Sequence, residues 1–173
     1  MGAGAAGLLL PLGIPTARAE SPSVLGSYAF VGGSKQREAI ETAIEESVLA
    51  LNAAIRGIAR RRLLRSNKAP AHLLISRSGV DVTVTLAGIR KVTAPADGSA
   101  VDFKTKFGDK ARLSHHLDGL RLVQTFVGAG TRVNTFTVQP ADEGPDRMTM
   151  RVKITSSRLP VPVKYRLSFK RLS

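Results

Sequence analysis

Three histidines are the residues of this sequence best suited to acid–base or metal chemistry, because imidazole titrates near neutral pH. His115 and His116 are adjacent in a segment of strand periodicity, so their side chains point to opposite faces and cannot share one ion. His72 begins another strand and has no Asp or Glu at ligand spacing. The sequence contains no Gly-x-Ser-x-Gly elbow and no glycine-rich loop that opens a helix. We therefore predict neither an enzyme active site nor a metal or cofactor site.

Four polar side chains fall on the apolar phase of the predicted strands, namely Thr105, His115, Gln124 and Tyr165. A mostly apolar pocket with a few convergent polar groups is the usual form of a small-molecule site. Because the four share one strand phase, we predict that they contact a bound hydrophobic or amphipathic small molecule. The alternative is that each one satisfies a backbone group, as buried polar side chains commonly do, or lies near a solvent-exposed rim of the sheet.

Five arginines near the end of a predicted helix form the strongest charge feature: Arg56, Arg60, Arg61, Arg62 and Arg65. Such a group can bind lipid phosphates or an anionic membrane surface, or it can simply be the solvated end of the helix. The net charge of +13 also favours anionic partners. Nucleic acid is not predicted, because the sequence has six Phe, two Tyr and no Trp, and most of these aromatic residues fall on inward phases.

One long helix is predicted over residues 36–64, because apolar side chains recur there at intervals of three and four. The stripe consists of Ile40, Ile44, Val48, Leu51, Ile55 and Ile58. We expect the whole stripe to be buried. The basic residues that follow it should project beyond the sheet.

From His72 onward, apolar residues alternate with polar ones, and short connections such as Ser78-Gly79 and Asp118-Gly119 favour antiparallel hairpins. About eight strands make a sheet wide enough to curl. The predicted fold class is α+β: one long N-terminal amphipathic helix packed on a strongly curled antiparallel β-meander, a half or full barrel. The helix should fill the concave face or plug one mouth.

The N-terminal region divides into two segments ahead of this domain. Residues 1–19 combine a short apolar stretch with Ala17-Arg18-Ala19, which predicts a signal peptide cleaved before Glu20; a disordered Ala/Gly-rich leader is the alternative. Residues 20–33 form an extended arm or a short strand, and residues 34–173 form a single helix-plus-sheet domain. We accordingly expect an exported protein, periplasmic or secreted.

Two C-terminal segments, DGLRLVQTF at residues 118–126 and YRLSFKR at residues 165–171, resemble the closing strands of calycin barrels, particularly fatty-acid-binding proteins. The resemblance implies a barrel that can enclose an apolar ligand. That family clamps a carboxylate with Arg and Tyr two residues apart on one face, whereas Tyr165 and Arg166 are neighbours that face oppositely, so the clamp is not carried over. The family's helices also interrupt the strands, whereas the helix predicted here precedes them.

Two functions follow from these observations. The leading hypothesis is an exported, non-enzymatic binding protein for a lipid or another amphipathic or hydrophobic small molecule. The alternative is a structural or interaction module of the cell envelope that uses the basic helix end and has no ligand cavity. The two differ in whether the helix consumes the concave face or leaves a void.

Overall fold

The computed structural model describes residues 22–172. Strand β1 (Gly26–Phe30) is followed by helices α1 (Gly33–Leu49) and α2 (Ala53–Ser66). The remaining strands are β2 (His72–Ser78), β3 (Asp81–Leu86), β4 (Arg90–Pro95), β5 (Val101–Lys104), β6 (Lys110–Asp118), β7 (Arg121–Val127), β8 (Thr131–Gln139), β9 (Arg147–Ser156) and β10 (Leu159–Arg171). The predicted α+β class is confirmed, with ten strands in place of about eight.

The strands form one antiparallel sheet in the order β4-β3-β2-β1-β10-β9-β8-β7-β6-β5. The sheet curls so that the chain just after β4 meets β6, the strand next to the other end of this order, through a bridge between Asp97 and His116. Beside the bridge, the Leu117 amide donates to the Ala96 carbonyl at 2.9 Å, and the Gly98 amide donates to the His115 carbonyl at 2.7 Å. The curled sheet is therefore a nearly closed barrel.

The period of two in the sequence sorts the strand side chains between the barrel interior and its outer surface. Residues of the inner phase are fully or almost fully buried, as in Val82, Val84 and Leu86 of β3, Phe136 and Val138 of β8, Met148, Met150 and Val152 of β9, and Val163, Leu167 and Phe169 of β10. Alternation predicted this division correctly because it depends only on the local chain. Val80 is an exception, since it lies in the turn before β3 and is exposed.

The predicted long helix is divided into two, so the expectation of one continuous helix over residues 36–64 is wrong. Asn52 has extended backbone angles, φ −59° and ψ 136°, between α1 and α2. Its side-chain oxygen accepts a hydrogen bond from the amide of Ala54 at 3.0 Å. This is the conformation of an N-cap, which Asn favours over the helix interior, and it begins a second helix.

The break also ends the buried stripe. Ile40, Ile44, Val48 and Leu51 are buried, but Ile55 and Ile58 on α2 are 46% and 56% exposed. None of the residues of α2 is fully buried. The expectation that the whole stripe is buried is wrong for these two residues, because the chain changes direction before them.

The helix pair is fixed to the barrel along β10. The hydroxyl of Ser47 donates to the carbonyl of Val161 at 2.6 Å, and Gln36 both donates to the Ser168 hydroxyl at 2.8 Å and accepts from the Ser168 amide at 2.7 Å. The two helices are joined by an ion pair between Glu45 and Arg60. Neither helix is long and apolar enough to cross a membrane, and the part of the chain that the structure describes has no other helix.

Strand β1 precedes both helices in the chain. It forms within residues 20–33, where the sequence allowed an arm or a strand, and it pairs with both β2 and β10. The helices thus lie between the first and second strands, so the departure from the calycin pattern noted above is wrong. The predicted signal peptide, residues 1–19, lies outside the described residues and stays a prediction.

Arg171, at the end of β10, holds the segment that precedes β1. Its Nε donates to Asp146 at 2.9 Å and its Nη1 to the Leu25 carbonyl at 2.7 Å, while Nη2 donates to the carbonyl of Ser23. The guanidinium also lies 4.9 Å from the centre of the Tyr28 ring. Burial is the main reason that the pKa of Tyr28 is raised to about 12.

Candidate ligand-binding site

The helix pair leaves a cavity of about 290 Å³ in the barrel. Its apolar lining comes from both layers of the fold, and its polar lining includes several cations. The apolar residues are Leu63, Ile89, Phe103, Phe107, Phe126 and Ile154, and the polar ones include Ser66, Arg90, Thr105, Lys106, Asp109 and Arg132. The helices therefore leave a space between α2 and this end of the barrel.

Two arginines bring positive charge into this cavity. Arg90 begins β4, and its Nη2 donates to the Ser66 carbonyl at 3.3 Å while its guanidinium lies 5.4 Å from the centre of the Phe126 ring. Arg132 enters from β8. The three ion pairs found within residues 22–172 involve neither arginine. Burial, and then the charge of Arg132, lower the pKa of Arg90 to about 10.

The positive charge extends to the rim of the cavity. The pKa of Lys106 is lowered, first by burial and then by the charges of Arg90, Arg65, Lys68 and Arg132. The ammonium group of Lys106 donates to the carbonyl of Arg65 at the end of α2. Because like charges gather here, the mouth of the cavity attracts an anion.

Arg132 is held in place by three side chains on different elements. Its Nη1 donates to Oδ1 of Asn67 at 2.7 Å, its Nη2 to the Tyr165 hydroxyl at 3.3 Å, and its Nε to Oδ1 of Asn134 at 3.0 Å. Tyr165 also donates to Asn67 at 2.8 Å, and Asn67 donates to the Leu63 carbonyl at 2.8 Å. Asn67 has a φ of −128°, and it caps the carboxyl end of α2 through this side-chain bond.

A chain of side-chain hydrogen bonds leads from Arg132 across the interior. Asn134 donates to Oε1 of Gln124 at 2.7 Å, Gln124 lies 2.9 Å from Nε2 of His115, and Nδ1 of His115 lies 3.0 Å from the Val82 carbonyl. Asn134, Gln124 and His115 are completely buried. Among the described residues, no buried side-chain N or O atom lacks a partner.

The four predicted ligand contacts have different positions. Thr105 lines the cavity, and its hydroxyl accepts the amides of Phe107 at 3.3 Å and Asp109 at 3.1 Å, which orders the turn after β5. His115, Gln124 and Tyr165 do not line the cavity and belong to the hydrogen-bond system of Arg132. Their contact with a ligand stays a prediction, and the structure gives each of them a protein partner.

The five arginines predicted to bind an anionic surface are not equivalent. Arg60 makes two bonds of 2.6 Å to Glu45, and the bond lowers the pKa of Glu45 and raises that of Arg60. Nε of Arg56 donates to the Leu51 carbonyl at 2.9 Å. The other three line a shallow groove with apolar neighbours on α2 and the β5–β6 turn: Arg61, Arg62 and Arg65, with Ile58, Leu64 and Phe107.

Sequence reasoning missed Arg90, Arg132, Asn134 and Asn67. The strand phase could have found the first three. Arg90 has the same phase as the buried Val92 and Ala94, and Arg132 and Asn134 share the phase of Phe136 and Val138. A cation on a buried phase is unusual and indicates a partner or a ligand. Asn67 carries no such signal, because it lies outside the strands.

The adjacent histidines point apart, as their spacing predicts. His115 is buried inside the barrel and His116 is exposed. Within residues 22–172, no three His, Asp or Glu side chains gather in a way that could hold a metal ion.

The barrel, with a helix pair between its first two strands, has the same fold as solved fatty-acid-binding and lipid-binding proteins, which confirms the resemblance to calycin barrels at the level of the fold. Apo lipid binding protein 8 of Caenorhabditis elegans shares 13% identity over 86% of this chain and 94% of that chain, with a TM-score of 0.53. Fatty-acid-binding protein 1 of Echinococcus granulosus shares 10% identity over 86% and 97%, with a TM-score of 0.50.

Secretory abundant heat soluble protein 4 of Ramazzottius varieornatus is similar to the same extent, with 13% identity over 88% of this chain and 96% of that chain and a TM-score of 0.50. No protein-family model matches the sequence, and no curated protein matches it either. At these identities the likeness is one of fold, and function has to be argued from the site.

Proposed function

We propose that this protein binds an anionic amphipathic lipid without catalysing a reaction. The hydrocarbon chain occupies the apolar cavity, and the anionic headgroup lies against Arg90 and Arg132. One observation carries the proposal: two guanidinium groups face an apolar cavity, and neither has a carboxylate partner within residues 22–172.

The physical argument begins with the cost of removing an unpaired charge from water. A carboxylate or phosphate offsets this cost, because guanidinium donors match the oxygens of both groups. Phe103, Phe126 and Ile154 provide the apolar surface that a hydrocarbon chain needs. The volume of about 290 Å³ is at the lower end of the range for small-molecule pockets. The ligand is therefore small or extends through the mouth.

The fold supports the coarser part of this proposal. Two of the similar structures are named as a fatty-acid-binding protein and a lipid binding protein. The cavity counts against the alternative of an envelope module without a ligand cavity.

Export is a further part of the proposal, supported by the signal-like pattern of residues 1–19. Amino-terminal sequencing of the protein from the culture medium or periplasm should begin at Glu20, and a retained Met1 would contradict export.

The proposed lipid site can be tested with one charge-removing variant and two ligands. The delipidated protein should bind a long-chain fatty acid more tightly than its methyl ester, because only the acid presents an anion. Arg90→Met should weaken binding of the acid by about 10- to 100-fold, the value of a charge-assisted hydrogen bond, and leave binding of the ester unchanged. Arg121→Met, on the exposed phase of β7, is the matched control. Equal affinity of the wild-type protein for acid and ester would contradict the proposal.

A second candidate function is contact of α2 with an anionic membrane surface. The exposure of Ile55 and Ile58 near Arg61 and Arg62 favours it, since apolar side chains flanked by cations suit the interface of an anionic bilayer. The protein should sediment with phosphatidylserine vesicles and not with phosphatidylcholine vesicles. The double variant with Ile55→Ser and Ile58→Ser should lose this binding, whereas Val80→Ser, at another exposed site, should retain it. Equal sedimentation of both variants would contradict the role of α2.

A further inference from the structure

The outer face of strands β9 and β10 carries a double row of six cations. The antiparallel register places them directly opposite one another in three pairs: Arg147 with Lys170, Arg151 with Arg166, and Lys153 with Lys164. All six side chains are exposed. We call this double row the cationic ladder.

The cations of the ladder have no compensating partners in the described part of the chain. The three ion pairs there lie elsewhere, and none of the six side chains makes a hydrogen bond. On the neighbouring strand β8, the residues opposite Arg147, Arg151 and Lys153 are uncharged: Gln139, Thr135 and Val133. Like charges directly opposite on neighbouring strands destabilise a sheet. The six cations of the free protein therefore repel one another, and an anion bound over them would offset this repulsion.

We propose that the cationic ladder binds a linear acidic polysaccharide. The seven residues from Arg147 to Lys153 span roughly 20 Å along the strand, and the two rows are about 5 Å apart. A single extended chain with anionic groups along both edges fits this narrow strip. The site is distinct from the lipid cavity, because alternation directs the ladder to the outer surface while Leu167 and Val152 of the same strands are buried inside.

Other polyanions fit the ladder less well. Single-stranded nucleic acid gains affinity from aromatic stacking, but the aromatic residues of β10, Tyr165 and Phe169, are buried inside the barrel. A duplex is a rigid cylinder, and two convex surfaces bring few phosphates within reach of the cations. A membrane needs apolar anchors, whereas the residues between the charged pairs are Thr149 and Ser168.

The test compares two variants of equal net charge, because a protein of charge +13 attracts any polyanion to some degree. The ladder variant replaces four central cations by Gln, at Arg151, Lys153, Lys164 and Arg166. The control variant replaces four exposed lysines outside the ladder by Gln, at Lys35, Lys68, Lys91 and Lys104. The probe is a heparin-derived octasaccharide titrated into each full-length protein over a range of salt concentrations.

We expect the ladder variant to bind the octasaccharide at least about tenfold more weakly, with a shallower dependence on salt, because fewer counterions are released. The control variant should change by less than about threefold. Equal weakening of both variants would overturn the proposal in favour of a net-charge effect. Tighter, ladder-dependent binding of duplex DNA, oligothymidylate or phosphatidylserine vesicles would overturn the choice of polysaccharide. We also expect the ladder variant to unfold at a higher temperature than the wild type, because the like charges have been removed. A cooperative thermal transition would confirm that this variant is folded.

Discussion

The side-chain amide of Gln124 donates a hydrogen bond to Nε2 of His115 across 2.9 Å, and the direction of this bond is fixed from both ends of a longer chain. At one end the Val82 carbonyl can only accept, so Nδ1 of His115 carries the proton and Nε2 is the acceptor. At the other end Arg132 can only donate, so Asn134 presents its oxygen to Arg132 and its amide to Gln124. His115 is therefore neutral and has one defined tautomer.

Removing the middle of this chain should destabilise the fold. Gln124→Leu leaves Nε2 of His115 and the amide of Asn134 buried without partners, at a cost of about 1–3 kcal/mol for each group. Urea unfolding measures the loss. Gln139→Leu, at an exposed position of β8, is the matched control and should change the free energy of unfolding by less than about 0.5 kcal/mol. Similar values for the two variants would show that the chain contributes nothing to stability.

Lowering the pH should decrease the free energy of unfolding, because His115 is buried in its neutral form. Burial lowers the pKa of this imidazole from its ordinary value of 6.5, although hydrogen bonds with the backbone of Val82 and Ala94 act in the opposite direction. Well above pH 6.5 the residue is neutral in both states and contributes no pH dependence. As the pH falls below 6.5, the unfolded chain takes up a proton before the folded one does, so the free energy of unfolding decreases by at most about 1.4 kcal/mol per pH unit.

The measurement is urea unfolding between pH 7 and pH 5 on three proteins. His115→Gln should flatten the pH dependence, while His116→Gln, on the exposed face of the same strand, should retain it. If the wild type and His115→Gln show the same slope, other groups account for the acid sensitivity.

Arg90 should destabilise the fold of the ligand-free protein. Replacing a poorly compensated charge by an apolar side chain of similar length is often neutral or stabilising. We expect Arg90→Met to raise the free energy of unfolding of the delipidated protein by about 1 kcal/mol. Added fatty acid should stabilise the wild type and have little effect on the variant. Calorimetry with and without ligand measures both effects, and a less stable apo variant would contradict this account of the site.

Arg171 should be one of the most important surface-proximal residues for stability. Arg171→Met leaves a partly buried Asp146 and the carbonyls of Ser23 and Leu25 without their donor, and we expect a loss of about 2–3 kcal/mol. Arg112→Met breaks a more exposed pair with Asp102 and should cost less than about 1 kcal/mol. Thermal unfolding compares the two, and equal losses would argue against the role of Arg171.

The sequence predicts features that depend on local chain geometry. Alternation correctly placed His115, Gln124 and Tyr165 on the inner face, because the direction of each side chain depends only on its strand phase. The break at Asn52 was missed because the apolar spacing continues through it, and only the cap geometry shows the change of direction.

The site itself could not be assembled from the sequence. Arg132 meets Asn67 and Tyr165, which lie 65 and 33 positions away in the chain. Such long-range contacts depend on which strands pair with each other, and the local periodicity of the sequence contains no information on strand pairing. The same limit applies to the cationic ladder, since the opposition of Arg151 and Arg166 follows from the register of β9 and β10.

The position of β1 between β2 and β10 has a consequence for how the chain folds. Strand β1 pairs with the end of β10, and the guanidinium of Arg171 on β10 donates to the carbonyl of Leu25, 146 positions earlier in the chain. Contacts of such long sequence separation are slow to form, because the loop-closure entropy is lost before the contacts stabilise the chain. During synthesis, β1 can pair with β2 but remains unpaired on its other edge until β10 has been synthesised. Pairing of β1 with β10 is therefore a late step in folding.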